Sequence, residues 1–188
     1  MRDHGLVEVP NPSQMLLEGR PQGASGTCVA CVMEGTRPIL AEVQALVSKT
    51  SFNVPRRTAD GFDFNRAALL LAVSEKRAGM KLNLFDAYIN VIGGLRLDEP
   101  GADLAVVLAV ASSYRDAAIA DDLVAIGEVG LTGEIRAVSN MNQRLQEVAR
   151  LGFSKCIIPK FGSEKLDIPK SLTIYRVRNI REAIETAL

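Results

Sequence analysis

Apolar and polar residues alternate along Thr27 to Met33 and again along Ile39 to Val47, the period of two β-strands. Glu34-Gly35-Thr36 between them suits a hairpin turn. In the second strand Ile39, Ala41, Val43, Ala45 and Val47 share one face. Leu40, Glu42, Gln44 and Leu46 share the other, so that face is expected to be only partly covered. Residues 50–61 read as a loop carrying Pro55-Arg56-Arg57. Asp63 is a good N-cap for a helix from Phe64 to Ala78, and Gly79 is its stop. Alternation returns over Ala87 to Ile92 and is broken by Gly93-Gly94. A polar loop with Asp98, Glu99 and Pro100 then leads into Ala102 to Ala111, apolar on every side. A helix without a polar face must be buried, so this one is the expected core of the domain.

Further along, Leu123 to Val129 predicts a strand, with Gly130-Leu131-Thr132-Gly133 turning it into Glu134 to Val138. Ser139 can cap a helix whose apolar stripe is Met141, Leu145, Val148 and Ala149, ended by Gly152. Phe153 to Ile158, closed by Pro159, and Leu172 to Val177 are two more strands. Asn179 with Glu182 three residues on resembles a capping box for a final helix. The fold class is therefore mixed α/β, with residues 1–26 as a loop-like N-terminal segment and 27–188 as the domain.

Composition narrows the classes of function. A chain of 188 residues that is 47% hydrophobic can bury one compact core. Its 22 Lys and Arg balance 22 Asp and Glu, so any affinity for nucleic acid must rest on a local patch. No apolar run reaches bilayer-spanning length, no signal-peptide pattern opens the chain, and three cysteines suit a reducing cytosol. A cytoplasmic location is expected. Cys28-x-x-Cys31 has the spacing of half a zinc site, but Cys156 and His4 are the only other thiol and imidazole. Strand residues three apart also point to opposite faces, so the two read as small apolar residues. There is no Gly-x-x-x-x-Gly-Lys-Ser/Thr loop for a nucleotide, and the glycines at 127, 130 and 133 lack dinucleotide spacing. With His4 alone near a terminus a Ser-His-Asp triad is excluded as the simple reading, while a Ser-Lys dyad stays open.

The densest basic stretch runs from Arg56 and Arg57 through Arg66, Lys76 and Arg77 to Lys81. Arg66 and Arg77 are close to three helical turns apart and so share a face. Arginine forks can hold phosphate oxygens; the same charges could equally face solvent or a neighbouring subunit. Aromatic companions for single-strand binding are few: Phe52, Phe62 and Phe64.

Several runs resemble a known family. Glu8-Val9-Pro10-Asn11-Pro12-Ser13, Glu34-Gly35-Thr36-Arg37-Pro38, Pro55-Arg56-Arg57 and Asn90-Val91-Ile92-Gly93-Gly94 look like the C-terminal domain of the RadA (Sms) family of bacterial DNA repair proteins. Glu99-Pro100, Asp103-Leu104-Ala105, Gly127-Glu128-Val129-Gly130-Leu131 and Gly133-Glu134 follow in the same order. The resemblance implies a fold like the proteolytic domain of Lon and the second domain of ribosomal protein S5. It also implies a zinc motif and a RecA-like ATPase upstream, so ATP, Mg and Zn are expected there and no cofactor in this chain. By the same resemblance the partners are DNA, single-stranded or branched, and further copies of the protein in a homo-hexameric ring.

Lon-type proteases pair a serine at the start of the central helix with a lysine opening a later one. Laid on this chain, the serine position falls on Gly101 and the lysine position on Asn142. Glycine carries no nucleophile and an amide is no amine base, so the resemblance implies a non-proteolytic scaffold. Asp98, Glu99 and Asp103 would also crowd an anion out of that helix N-terminus. Ser112 and Ser113 lie about 15 Å further along the helix and do not replace the nucleophile. The candidate DNA-binding residues are Arg56, Arg57, Arg66, Arg77 and Lys81. Two rival readings remain at this point: a Lon-type Ser-Lys peptidase with a rearranged dyad, and a pure oligomerisation module.

Overall fold

The computed structural model describes residues 12–188. Helix α1 (Pro12–Leu16) leads to strands β1 (Thr27–Glu34), β2 (Arg37–Lys49) and β3 (Arg57–Asp60), then helix α2 (Phe64–Ala78) and β4 (Phe85–Val91). Next come α3 (Asp103–Arg115), β5 (Leu123–Ala125), β6 (Glu128–Val129), β7 (Ile135–Arg136) and α4 (Met141–Arg150). The chain closes with β8 (Lys155–Pro159), β9 (Thr173–Val177) and α5 (Ile180–Ala187). Seven strands form one sheet in the order β3-β4-β2-β1-β5-β8-β9, and β6 with β7 forms a separate small hairpin. The β1–β2 and β2–β4 pairs are antiparallel; the β3–β4, β1–β5, β5–β8 and β8–β9 pairs are parallel. This is a mixed α/β fold built on a mostly parallel sheet.

The central helix is as apolar in its setting as in its sequence. Every residue of α3 from Asp103 to Ser112 is buried, against the sheet on one side and α2 and α5 on the other. Each fully buried leucine or valine there contributes about 1.5–3 kcal/mol relative to exposure. A second core on the opposite sheet face joins Leu145 and Val148 of α4 to Val29, Cys31, Leu40, Val124 and Cys156. Cys28 belongs to the first core and Cys31 to the second, as strand alternation requires. Along β2 the second face is graded: Leu40 and Glu42 are buried, Gln44 is half-buried and Leu46 is exposed.

Capping follows local chemistry closely in two helices. Asp63 accepts the Arg66 N–H, and Gly79 ends α2 at φ 74. Asn179 accepts the Glu182 N–H, while Glu182 reaches back to the Arg178 N–H.

Other expectations need correction. Residues 1–26 are not all loop, because Pro12–Leu16 is helical: the buried Ser13 hydroxyl accepts the Leu40 N–H, and Leu16 covers Gly93 where a Cβ would collide with it. The run Glu8 to Asn11 and His4 lie outside the described residues. The stretch 50–61 is not all loop either, since Arg57–Asp60 pairs in parallel with β4 and makes a sheet edge. Leu123 to Val129 is broken at Ile126-Gly127, where the chain leaves the sheet to start the hairpin, and β7 has only two residues. The N-cap position of α4 is Asn140, at φ 57, and not Ser139, and no side chain caps the helix there. Asparagine tolerates that left-handed backbone, and the Ser139 carbonyl before it accepts from Arg144.

Candidate functional site

Gly101 lies in the tight turn Pro100–Ala102 that feeds α3. The Gly127 N–H donates to the Gly101 carbonyl at 3.1 Å, so strand exit and helix entry are tied together. Beside this glycine, Glu99 accepts the Met33 N–H at 2.7 Å and a two-pronged approach from Arg144. The Arg144 side chain is 0% exposed and also donates to the carbonyls of Cys31 (2.6 Å) and Ser139 (2.9 Å). A Cβ at Gly101 would stand 3.1 Å from Glu99 Oε1 and 3.2 Å from Arg144 Nη1. A side chain at 101 would thus be in tight contact with the Glu99–Arg144 ion pair, which would have to give way by a few tenths of an ångström.

A second pair completes the corner. Asp103, fully buried, accepts Arg66 Nε at 3.1 Å, Arg66 Nη2, and the Val129 N–H at 3.0 Å. Burial pushes the Asp103 carboxyl up, against the opposing pull of the Arg66 guanidinium and the Val129 N–H. Arg66 also donates to the Val129 carbonyl at 2.8 Å, fastening α2 to the β6–β7 hairpin. The expectation of bare negative charge at this helix start is therefore corrected. Glu99 and Asp103 each complement the α3 dipole and each is matched by an arginine, while the exposed Asp98 pairs with Arg96.

Asn142 does not meet Gly101. It lies on the exposed side of α4, where its Oδ1 accepts the Asp167 N–H at 3.0 Å. Arg144, two residues on, is the side chain turned toward Gly101, and sequence reasoning missed it. A signal was present: Arg144 is three residues from Met141 and four from Val148, inside the apolar stripe, where an unpaired charge has no place. Ser112 donates to the Ala117 carbonyl at 2.6 Å and accepts the Gly26 N–H at 2.8 Å; Ser113 accepts the Val47 N–H at 2.9 Å. Both hydroxyls tie loops and strands to the far end of α3. The three thiols are buried, which pushes Cys28 and Cys31 up to about 12 and Cys156 upward as well.

The five candidate basic residues are not one patch. Arg66 is turned inward to Asp103. Arg57 spends its guanidinium on the carbonyls of Phe85 and Leu82 (2.6 Å to the latter), closing β3 onto the turn before β4. Arg77 is exposed on α2, its stem against Gly133 and its carbonyl accepting from Arg181. Arg66 and Arg77 thus both lie toward the β6–β7 hairpin. Lys81 is exposed at the end of the loop after α2. Arg56 is exposed, and its guanidinium carbon sits 3.8 Å from the centre of the Phe52 ring. Among the aromatic candidates Phe62 is buried, whereas Phe52 and Phe64 are half exposed.

The corner is thus a buried helix start after β4, with the later helix α4 folded back on it through Arg144. The model of the Lon protease (S16) C-terminal proteolytic domain matches residues 67–188, the larger part of the chain. The chain belongs to this family. It is also similar to DNA repair protein RadA of Listeria monocytogenes, 52% identical over 188 residues, and of Bacillus subtilis, 51% identical over 188 residues. RadA of Streptococcus pneumoniae is 51% identical over 185 residues. The similarity takes in 100%, 100% and 98% of this chain but 41%, 41% and 44% of those proteins, so the chain spans less than half the length of these relatives. It is similar to their C-terminal, Lon-like part. Among the described residues no helix is long and apolar enough to cross a membrane, and no cluster of three or more His, Cys, Asp or Glu could hold a metal ion.

Proposed function

We propose that this domain is a non-proteolytic Lon-like scaffold that supports ring assembly and DNA binding in recombinational DNA repair and branch migration. One observation carries the non-proteolytic part: Gly101, at the position the resemblance gives the nucleophile, has no side chain, and the Glu99–Arg144 pair crowds any that would be added. An amine base is missing as well, because Asn142 is turned away to Asp167. The similarity to RadA supports the repair role. ATP hydrolysis with Mg, and a zinc motif, belong in this reading to the remainder of a longer protein, which works in the cytoplasm as a hexamer.

Incubation with unfolded casein tests the first part. No cleavage is expected, and none is expected to appear in the G101S/N142K double variant, since position 142 faces away from Gly101 and the ion pair crowds the corner. Cleavage by the unaltered chain that Ser112→Ala or Ser113→Ala abolishes would restore the peptidase reading.

One observation favours the assembly module without DNA: Arg57 and Arg66, two of the five candidate residues, are used inside the fold. Sedimentation velocity with and without a single-stranded oligonucleotide separates the two. The DNA-binding scaffold requires co-sedimentation that weakens steeply with salt.

A further inference from the structure

We infer that Phe52 and Arg56 form a stacking site for an unpaired base of single-stranded DNA, with Lys49 and Lys81 as the phosphate-facing rim. This rests on the DNA-binding reading above and narrows it to one loop. The loop between β2 and β3 is anchored rather than loose. At its start the Thr50 N–H donates to the Leu84 carbonyl at 3.1 Å, and the Thr50 hydroxyl accepts the Phe52 N–H at 3.1 Å. At its end the Arg56 N–H donates to Asp86 at 2.7 Å. Asp86 is thereby engaged by the backbone of Arg56, and the guanidinium instead lies on the Phe52 ring.

The stack leaves Phe52 51% exposed and Val54, at the tip, 76% exposed. A half-exposed aromatic ring in contact with a cation offers a platform on which a base can stack, without regard to which base it is. The Asp86 carboxylate is taken up by the Arg56 N–H, and two lysines flank the base of the loop. Lys49 lies opposite Phe85 in the β2–β4 ladder, and Lys81 precedes the turn Leu82–Leu84 whose last carbonyl holds Thr50. Both lysines are exposed, and none of the ion pairs formed among the described residues uses Arg56, Lys49 or Lys81. Duplex DNA keeps its bases stacked on one another and offers nothing to this ring, so the site selects single strands.

Fluorescence anisotropy with labelled oligothymidine, an abasic strand of equal length and a hairpin duplex tests the site. Phe52→Ala should weaken oligothymidine binding about tenfold, within the range of one base–aromatic stack, with the salt slope unchanged. The abasic strand and the duplex should not register the change, and Phe52→Trp should retain binding. Arg56→Ala should weaken binding and flatten the salt slope as well. If Phe52→Ala binds oligothymidine like the unaltered chain while Arg77→Ala or Lys81→Ala weakens it, the stacking site is wrong and DNA binding stands. If the unaltered chain binds none of the three, both readings fall. Phe52 is half exposed, so its variants keep the fold, which circular dichroism verifies.

Discussion

Arginines at two places in this domain are chemically identical and do opposite things. At the start of α3, Arg144 and Arg66 are drawn inward, each forked onto a carboxylate and a backbone carbonyl. On the loop between β2 and β3, Arg56 has its backbone bonded and its guanidinium laid on an exposed ring. The first arrangement closes the corner around Gly101. The second leaves a cation and an aromatic face available to a ligand. A count of basic residues does not separate them; what surrounds each guanidinium does.

That contrast can be broken by mutation, most severely in the closed corner. Arg144→Ala removes the partner of Glu99 and leaves the Cys31 and Ser139 carbonyls without it; a loss of about 3–5 kcal/mol is expected in urea unfolding. The double variant Arg144→Met with Glu99→Leu should recover only part of that loss: apolar packing removes the orphaned charge, but the Cys31 and Ser139 carbonyls and the Met33 N–H stay without their partners. Asp103→Ala should cost about 3 kcal/mol, the low end for breaking a buried pair, since the Arg66 side chain keeps 30% of its surface in water. Gly101→Ser comes next, with about 1–2 kcal/mol lost to overpacking against Glu99 and Arg144 and no peptidase activity gained.

The open loop should respond differently. The Arg56 N–H holds the Asp86 carboxyl below its usual range, with Thr50 and the charges of Arg56 and Arg57 assisting. A carboxylate whose pKa is lower folded than unfolded stabilises the fold above its unfolded pKa of about 4 and ceases to do so as pH falls through the folded value. Asp86→Asn should therefore be less stable than the unaltered chain at neutral pH, with the difference shrinking below about pH 4. Thermal unfolding across that range measures it. Arg56→Ala should change stability by no more than about 0.5 kcal/mol, the behaviour of a surface residue outside the core. A large loss there would erase the distinction between the two regions.

Much of this architecture was legible in the chain. The α2 helix, with Asp63 before it and Gly79 after it, runs between the residues that local capping chemistry names. The burial of α3 follows from its having no polar face, and the β1–β2 hairpin from alternation on both sides of Glu34-Gly35-Thr36. Short elements escaped. Arg57–Asp60 is a strand only because β4 lies beside it, and Pro12–Leu16 is a helix only because β2 and Gly93 give Ser13 and Leu16 something to hold. Neither has enough internal periodicity to declare itself.

By itself, then, the sequence determined the elements that are long and patterned, the absence of a nucleophile at Gly101, and the separation of Cys28 from Cys31 onto two faces. All of these depend on residue type and on spacing along one element. Tertiary structure alone decided that Arg144 fills the corner, that Asn142 does not face it, that Arg57 and Arg66 are spent inside the fold, and that Arg56 rests on Phe52. An arginine side chain is long enough to reach several partners, and which carboxylate, carbonyl or ring it meets depends on elements distant in the chain: Arg144 meets a carbonyl 113 residues before it, and Arg66 a carboxylate 37 residues after it.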